Sequence, residues 1–146
     1  MTTSAVTKTS HGPINRGVRG WMFFDWAAQP FFTVVTTFIF GPYFAEIARG
    51  YYMAEGLDAD AAGAAAQAYW GVGLAISSVL IAIFAPILGA IADGTGRRLI
   101  WVWFFSAFYI FGSLALWTIA PGGDNLFWAV VFFGIGFIGM EFATIF

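Results

Sequence analysis

Asp25, Gln29, Thr33 and Thr36 recur every three or four residues inside WMFFDWAAQPFFTVVTTFIFGPYF (21–44), a stretch that is otherwise aromatic and aliphatic. At 100° per residue these four and Tyr43 lie within about 80° of one another on an α-helix, while Phe23, Phe31, Val34 and Phe38 take other faces. A carboxylate, an amide and hydroxyls in one stripe suit the passage of a small polar solute or ion. Asp25 turned into lipid would cost about 2.5–3.5 kcal/mol at mid-membrane, so the stripe is expected to face a wet interior. The alternative is that Asp25, near the start of the stretch, caps or hydrates a helix end. Pro30 removes one backbone hydrogen bond and is expected to bend the helix.

Glu141 is a second carboxylate in an apolar stretch. Counted from the outer end of that stretch it lies about 22 Å down, in the cytoplasmic half of a bilayer. A carboxylate there is a functional residue by default, the alternative being a solvated site near the inner surface. No apolar stretch supplies a lysine or arginine to neutralise Asp25 or Glu141. Their partner is therefore a basic residue elsewhere in a larger bundle, a coupling proton or the ammonium group of a substrate.

A third constellation is GAIADGTGRR (89–98). Gly89 permits close helix contact, Asp93 is placed to cap the following helix or to pair with Arg97, and Gly96 permits a tight turn. Other chemistry finds no support. There is no cysteine, so no disulfide, thiolate ligand or cysteine nucleophile, and the single histidine, His11, stands in a polar tail without a second ligand. Gly134, Gly136 and Gly139 match a dinucleotide fingerprint, but they sit inside an apolar run with no strand before them, where glycines serve helix packing. No enzyme, cofactor or metal site is expected.

The elements that must position these residues are membrane helices. The 146 residues are 60% hydrophobic and 10% charged, with a mean hydropathy of +0.82, against roughly 25% charged in soluble domains. A net charge of −2 argues against a nucleic-acid partner. Residues 1–20 form a Thr/Ser/Gly-rich tail, and four apolar spans follow at about 21–45, 69–92, 99–119 and 126–146. Each is long enough to cross a hydrocarbon core of about 30 Å, and none alternates as barrel strands do. The fold class is all-α, integral to a lipid bilayer. Lys8, Arg16, Arg19, Arg97 and Arg98 fall on one side, which the positive-inside rule makes cytoplasmic, and only Arg49 falls on the other. Trp21, Trp101, Trp103 and Trp117 lie near span ends, as interfacial aromatics do. Asp58 is expected to cap an outward extension of the second helix through 59–68. In that helix Gly71, Ala75, Ser78, Ala82, Ala85, Gly89 and Ala92 form a small-residue stripe expected to pack another helix.

The hairpin motif resembles the signature GxxxDxxGRR of the major facilitator superfamily (MFS), matching at Gly89, Asp93, Gly96, Arg97 and Arg98, with Gly94 where that family usually has a basic residue. Residues 23–44 are similar to the first helix of its vacuolar amino-acid effluxer branch. The resemblance implies a bundle of about twelve helices in two similar halves, with helices one and four lining a central cavity. Asp25, Gln29, Thr33, Thr36 and Glu141 would then face a substrate or ion pathway. Asp93, Arg97 and Arg98 would bias the carrier between inward- and outward-open states, and small solutes such as amino acids would be the substrates. The fourth span lacks the arginine that many proton-coupled members carry there. The last span runs to Phe146 without a polar flank, so the chain is expected to be the N-terminal part of a carrier whose remaining helices are its partners. The rival readings are a four-helix dimeric exporter and a non-transporting membrane assembly protein.

Overall fold

The computed structural model describes residues 15–146; Lys8, His11 and the rest of the expected tail up to residue 14 lie outside the described residues. All regular structure among the described residues is helical, and no strand occurs among them. The order is α1 (Arg16–Pro30), a π-helical segment (Phe31–Phe40), α2 (Gly41–Ala54), α3 (Ala59–Thr95), α4 (Arg98–Ala115) with a 3₁₀ turn (Leu116–Thr118), and α5 (Leu126–Ile145). These make four spans long and apolar enough to cross a membrane: Arg16–Ala54, Ala59–Thr95, Arg98–Thr118 and Leu126–Ile145. The protein is a multi-pass membrane protein of the all-α class.

The first two spans are longer than their apolar cores. Helix α1 begins at Arg16, where the Asn15 side chain accepts from Gly17 N at 3.2 Å, so the last residues of the expected tail are helical. At the far end α2 runs to Ala54, and α3 starts at Ala59 with Asp58 as its cap, accepting from Asp60 N at 3.0 Å and Ala61 N at 2.9 Å. Alanine-rich sequence after such a cap continues as helix without needing lipid to enforce it.

Pro30 does not break the first span. It keeps helical angles, φ −56° and ψ −32°, and the chain passes directly into ten residues of π-helix. Pro30 has no N–H, so the carbonyl of Trp26 loses its α-helical donor and the ladder must be re-phased. The threonines adopt the new phase: Thr36 Oγ1 donates to Phe31 O at 3.1 Å and Thr37 Oγ1 to Phe32 O at 3.3 Å, each five residues back. Ten residues is long for a π-helix, which elsewhere appears mostly as single turns.

Helix α5 is the hub, packed on α4, α3, α2 and α1. Against α4 the backbones nearly touch. A Cβ on Gly112 would meet Gly136 Cα and Phe132 O at 2.7 Å, and one on Gly139 would meet Phe105 O at 2.9 Å. Against α3 the contact runs through Gly73, which seats Val130, and Ser77, whose hydroxyl lies where a Cβ on Gly134 would be 3.0 Å away. Toward the α2–α3 connection an aromatic core joins three spans: Phe40 stacks on Phe133 at 5.3 Å and 2°, and Trp70 lies 4.7 Å from Phe133.

Only the second half of the small-residue stripe expected to pack helices is used: Ala85 packs against the Phe105–Phe142 cluster and Ala92 is buried, whereas its first half is not the face α3 covers. Gly71, Ala75, Ser78 and Ala82 are exposed, and a Cβ on Gly71 or Gly89 meets nothing within 4 Å. The buried small residues are Ala62, Ala66, Ser77 and Ala92. Small residues occupy more than one face of α3, and the side chains of α2 and α5 decide which face is covered.

Candidate functional site

The π-segment changes how the polar stripe is presented. Its i→i+5 bonding widens the turn, so steps of 100° per residue no longer hold between Phe31 and Phe40. Gln29 and Thr33 stay together, exposed, and line a notch of about 310 Å³ with Trp26, Ala27, Pro30 and Val34. Thr36 is half-buried with its hydroxyl turned onto its own backbone. Tyr43, near the start of α2, reaches across to the residue after the 3₁₀ turn that follows α4, its hydroxyl 3.5 Å from Ile119 O. Four of the five residues are therefore divided between a notch, an internal bond and a tertiary contact, and Asp25 belongs to none of these.

Asp25 and Glu141 are both half-buried. Helices α1 and α5 meet where Ala28 and Phe31 pack against Met140. Asp25 lies three residues before Ala28, and Glu141 is the residue after Met140, so the α1–α5 contact carries a carboxylate on each side. Neither forms an ion pair among the described residues. Two uncompensated carboxylates beside one helix contact, next to a notch holding an amide and a hydroxyl, suit attraction of a cationic or zwitterionic solute.

The α3–α4 turn is built differently from its sequence expectation in one respect. Gly96 takes φ +64°, the left-handed region open to glycine, and its N–H donates to Asp93 O at 3.3 Å. Asp93 pairs with Arg98, not with Arg97, and it does not cap α4. The left-handed turn sends α4 back antiparallel to α3, which brings the first residue of α4 under the carboxylate. Arg97 becomes the N-cap residue with φ −112° and no side-chain cap bond, and its guanidinium stays exposed. Gly89 is half-buried with open space beside it. The Asp93 and Arg98 side chains are 61% and 62% exposed, so water reaches the pair and it can open cheaply.

Sequence reasoning passed over Ser77 and Ser113. Ser77 is buried and donates to Gly73 O at 3.0 Å; the Gly73–Ser77 spacing of four was the signal. Ser113 holds a buried hydroxyl with no partner among the described residues, and nothing in its apolar surroundings marked it. Among the described residues no group of histidine, cysteine or carboxylate side chains is arranged to hold a metal.

No family model matches the chain, and no solved structure matches it. It is similar to an uncharacterized MFS-type transporter, YxiO, of Bacillus subtilis (strain 168), with 30% identity over 126 residues that cover 86% of this chain. The chain spans 27% of that relative's length.

Proposed function

We propose that this chain forms the first four membrane helices of a secondary transporter of the major facilitator superfamily, moving small solutes by alternating access. The observation that carries the reading is the α3–α4 hairpin. Gly89, Asp93, Gly96, Arg97 and Arg98 stand at the superfamily's signature positions, and the turn combines a left-handed Gly96 with an exposed Asp93–Arg98 pair. Similarity to an MFS-type transporter over most of the chain supports it. An exposed pair at a hairpin is worth little to stability, so it can be exchanged between two states at small cost. Asp93, Arg97 and Arg98 are the conformational-switch residues in this reading. Asp25, Gln29, Thr33, Thr36 and Glu141 line the substrate or ion pathway, which the remaining helices of a longer carrier complete. Amino acids are the first substrate class to test, because a zwitterion brings an ammonium group to Asp25 or Glu141, with a coupling proton as the other candidate partner. The arginines at the start of α1 and in the α3–α4 turn support a cytoplasmic location for that end of the bundle in the cell membrane.

The test is to read the coding sequence past codon 146 and to assay its full product in proteoliposomes with radiolabelled amino acids. Further apolar spans together with saturable uptake are expected. A stop after codon 146, with transport by a dimer of this chain, would favour the four-helix exporter. Further spans without uptake of any amino acid would overturn the substrate class alone.

A further inference from the structure

Phe31 and Phe40 bound the π-segment, and both rings stack on Phe133 of α5, at 6.2 Å and 16° and at 5.3 Å and 2°. Nine residues apart on an α-helix, they would point about 180° from one another, so a straight α-helix would not bring both to the same ring. The wider i→i+5 turn does. Phe31 also meets Tyr109 edge-on at 5.0 Å, and Phe31, Phe40 and Phe133 are all buried. Gly41 stands at the exit of the segment. A Cβ there would meet Thr36 O, five residues back, at 2.7 Å. Its φ of −58° is one that any residue adopts, so the close approach, and not the backbone angle, calls for glycine.

The register of this segment decides which face of α1 meets α5. Carried back from Phe40 as α-helix, Gln29 and Thr33 would each lie about 20° from Phe40 and point into the aromatic core, while Phe31 would point away. In the π register Ala28 and Phe31 pack on Met140 and Phe133 instead, and Gln29 and Thr33 are exposed in their notch. We infer that Phe133 and Gly41 are positioning residues. Phe133 anchors both ends of the π-segment and Gly41 leaves room for its last turn. Together they keep the amide of Gln29 and the hydroxyl of Thr33 out of the aromatic core and on the open face of α1. The use of those two groups rests on the pathway proposed above, but their placement is tested without transport, so either can fail alone.

The chain has no cysteine, so Ala28→Cys and Thr33→Cys can be compared, each alone in the purified chain in detergent, for the rate of reaction with N-ethylmaleimide. Ala28 is 2% exposed and Thr33 is exposed, so Thr33→Cys should react faster. Gly41→Ala puts a methyl group against the Thr36 carbonyl in the π register, while alanine suits an α-helix better than glycine does. It should reverse the order of the two rates. Phe31→Ala removes an anchor on Phe133 that serves the π register alone, and should reverse the order as well. Circular dichroism should show undiminished helix content in both variants. If either variant keeps the original order, the π register does not place these residues and the proposal falls. A rise in reactivity at both positions would also overturn it, because α1 would then have come loose from α5 instead of turning.

Discussion

At the residue scale, the Asp93–Arg98 pair separates function from stability. Both side chains are more than half exposed, so the pair contributes roughly 0–1 kcal/mol to folding. If the chain is part of a carrier that alternates between two open states, as proposed, Asp93→Asn should leave membrane abundance and thermal stability unchanged while slowing uptake, through a shifted balance between those states. Unchanged uptake at normal abundance would mean that the hairpin is only a turn. Asp25 and Glu141 call for a paired measurement. If they meet a substrate ammonium or a coupling proton, Asp25→Asn and Glu141→Gln each impair uptake without lowering abundance, and each changes its pH dependence. If they meet a basic residue from a further helix, each mainly lowers abundance, through a stranded positive charge. Normal transport by both between pH 5 and 8 would leave them as hydrated helix-end residues. Gly96 was legible as a turn residue from sequence, because only glycine enters the left-handed region without strain. The partner of Asp93 was not legible: Arg97 and Arg98 both lie within reach in sequence, and the turn geometry chooses between them.

At the element scale, the spans were legible because each is a long apolar run, and Asp58 was legible because an acidic cap precedes a run of alanines. The π-segment was not. A proline in a helix signals a lost hydrogen bond, but whether the helix bends or re-phases depends on what packs against it; here Phe31 and Phe40 are held by α5 and α3 aromatics. Pro30→Ala restores the missing N–H and should shift the segment toward α-helix, moving Thr33 relative to Gln29. Cross-linking between cysteines placed at 29 and 33, with and without Pro30, reads that change. The packing faces of α3 were also hidden, since helix packing depends on the partner's relief as much as on small residues. The structure makes a clear ranking. Gly139→Val should lower the melting temperature of this chain in detergent, by an overpacking cost of about 1–3 kcal/mol, because its Cβ would press on the Phe105 carbonyl and the Tyr109 backbone. Gly71→Val, on the small-residue stripe, should leave it unchanged. The reverse order would restore the stripe as the packing surface.

At the scale of the whole molecule, the absence of native cysteine lets topology be read without background. Thr95→Cys should react with an impermeant thiol reagent only from the cytoplasm, and Asp60→Cys only from outside; reaction of Thr95→Cys in intact cells would invert the orientation. The antiparallel bundle was legible, since spans separated by short polar turns have few other ways to cross a bilayer. The hub role of α5 was not, because its glycines gain meaning only from the α4 backbone opposite. The long α2–α3 hairpin has a mechanical consequence. Helix α3 has 37 residues, so it runs about 55 Å, far beyond a hydrocarbon core of about 30 Å. Its Asp58-capped end is tied to α2 through the four residues 55–58, and a tip carried so far from the bilayer midplane would act as a lever. A rocking of about 10° at the midplane would sweep the tip by about 5 Å. Spectroscopic probes placed there would register small rotations that are hard to see within the membrane.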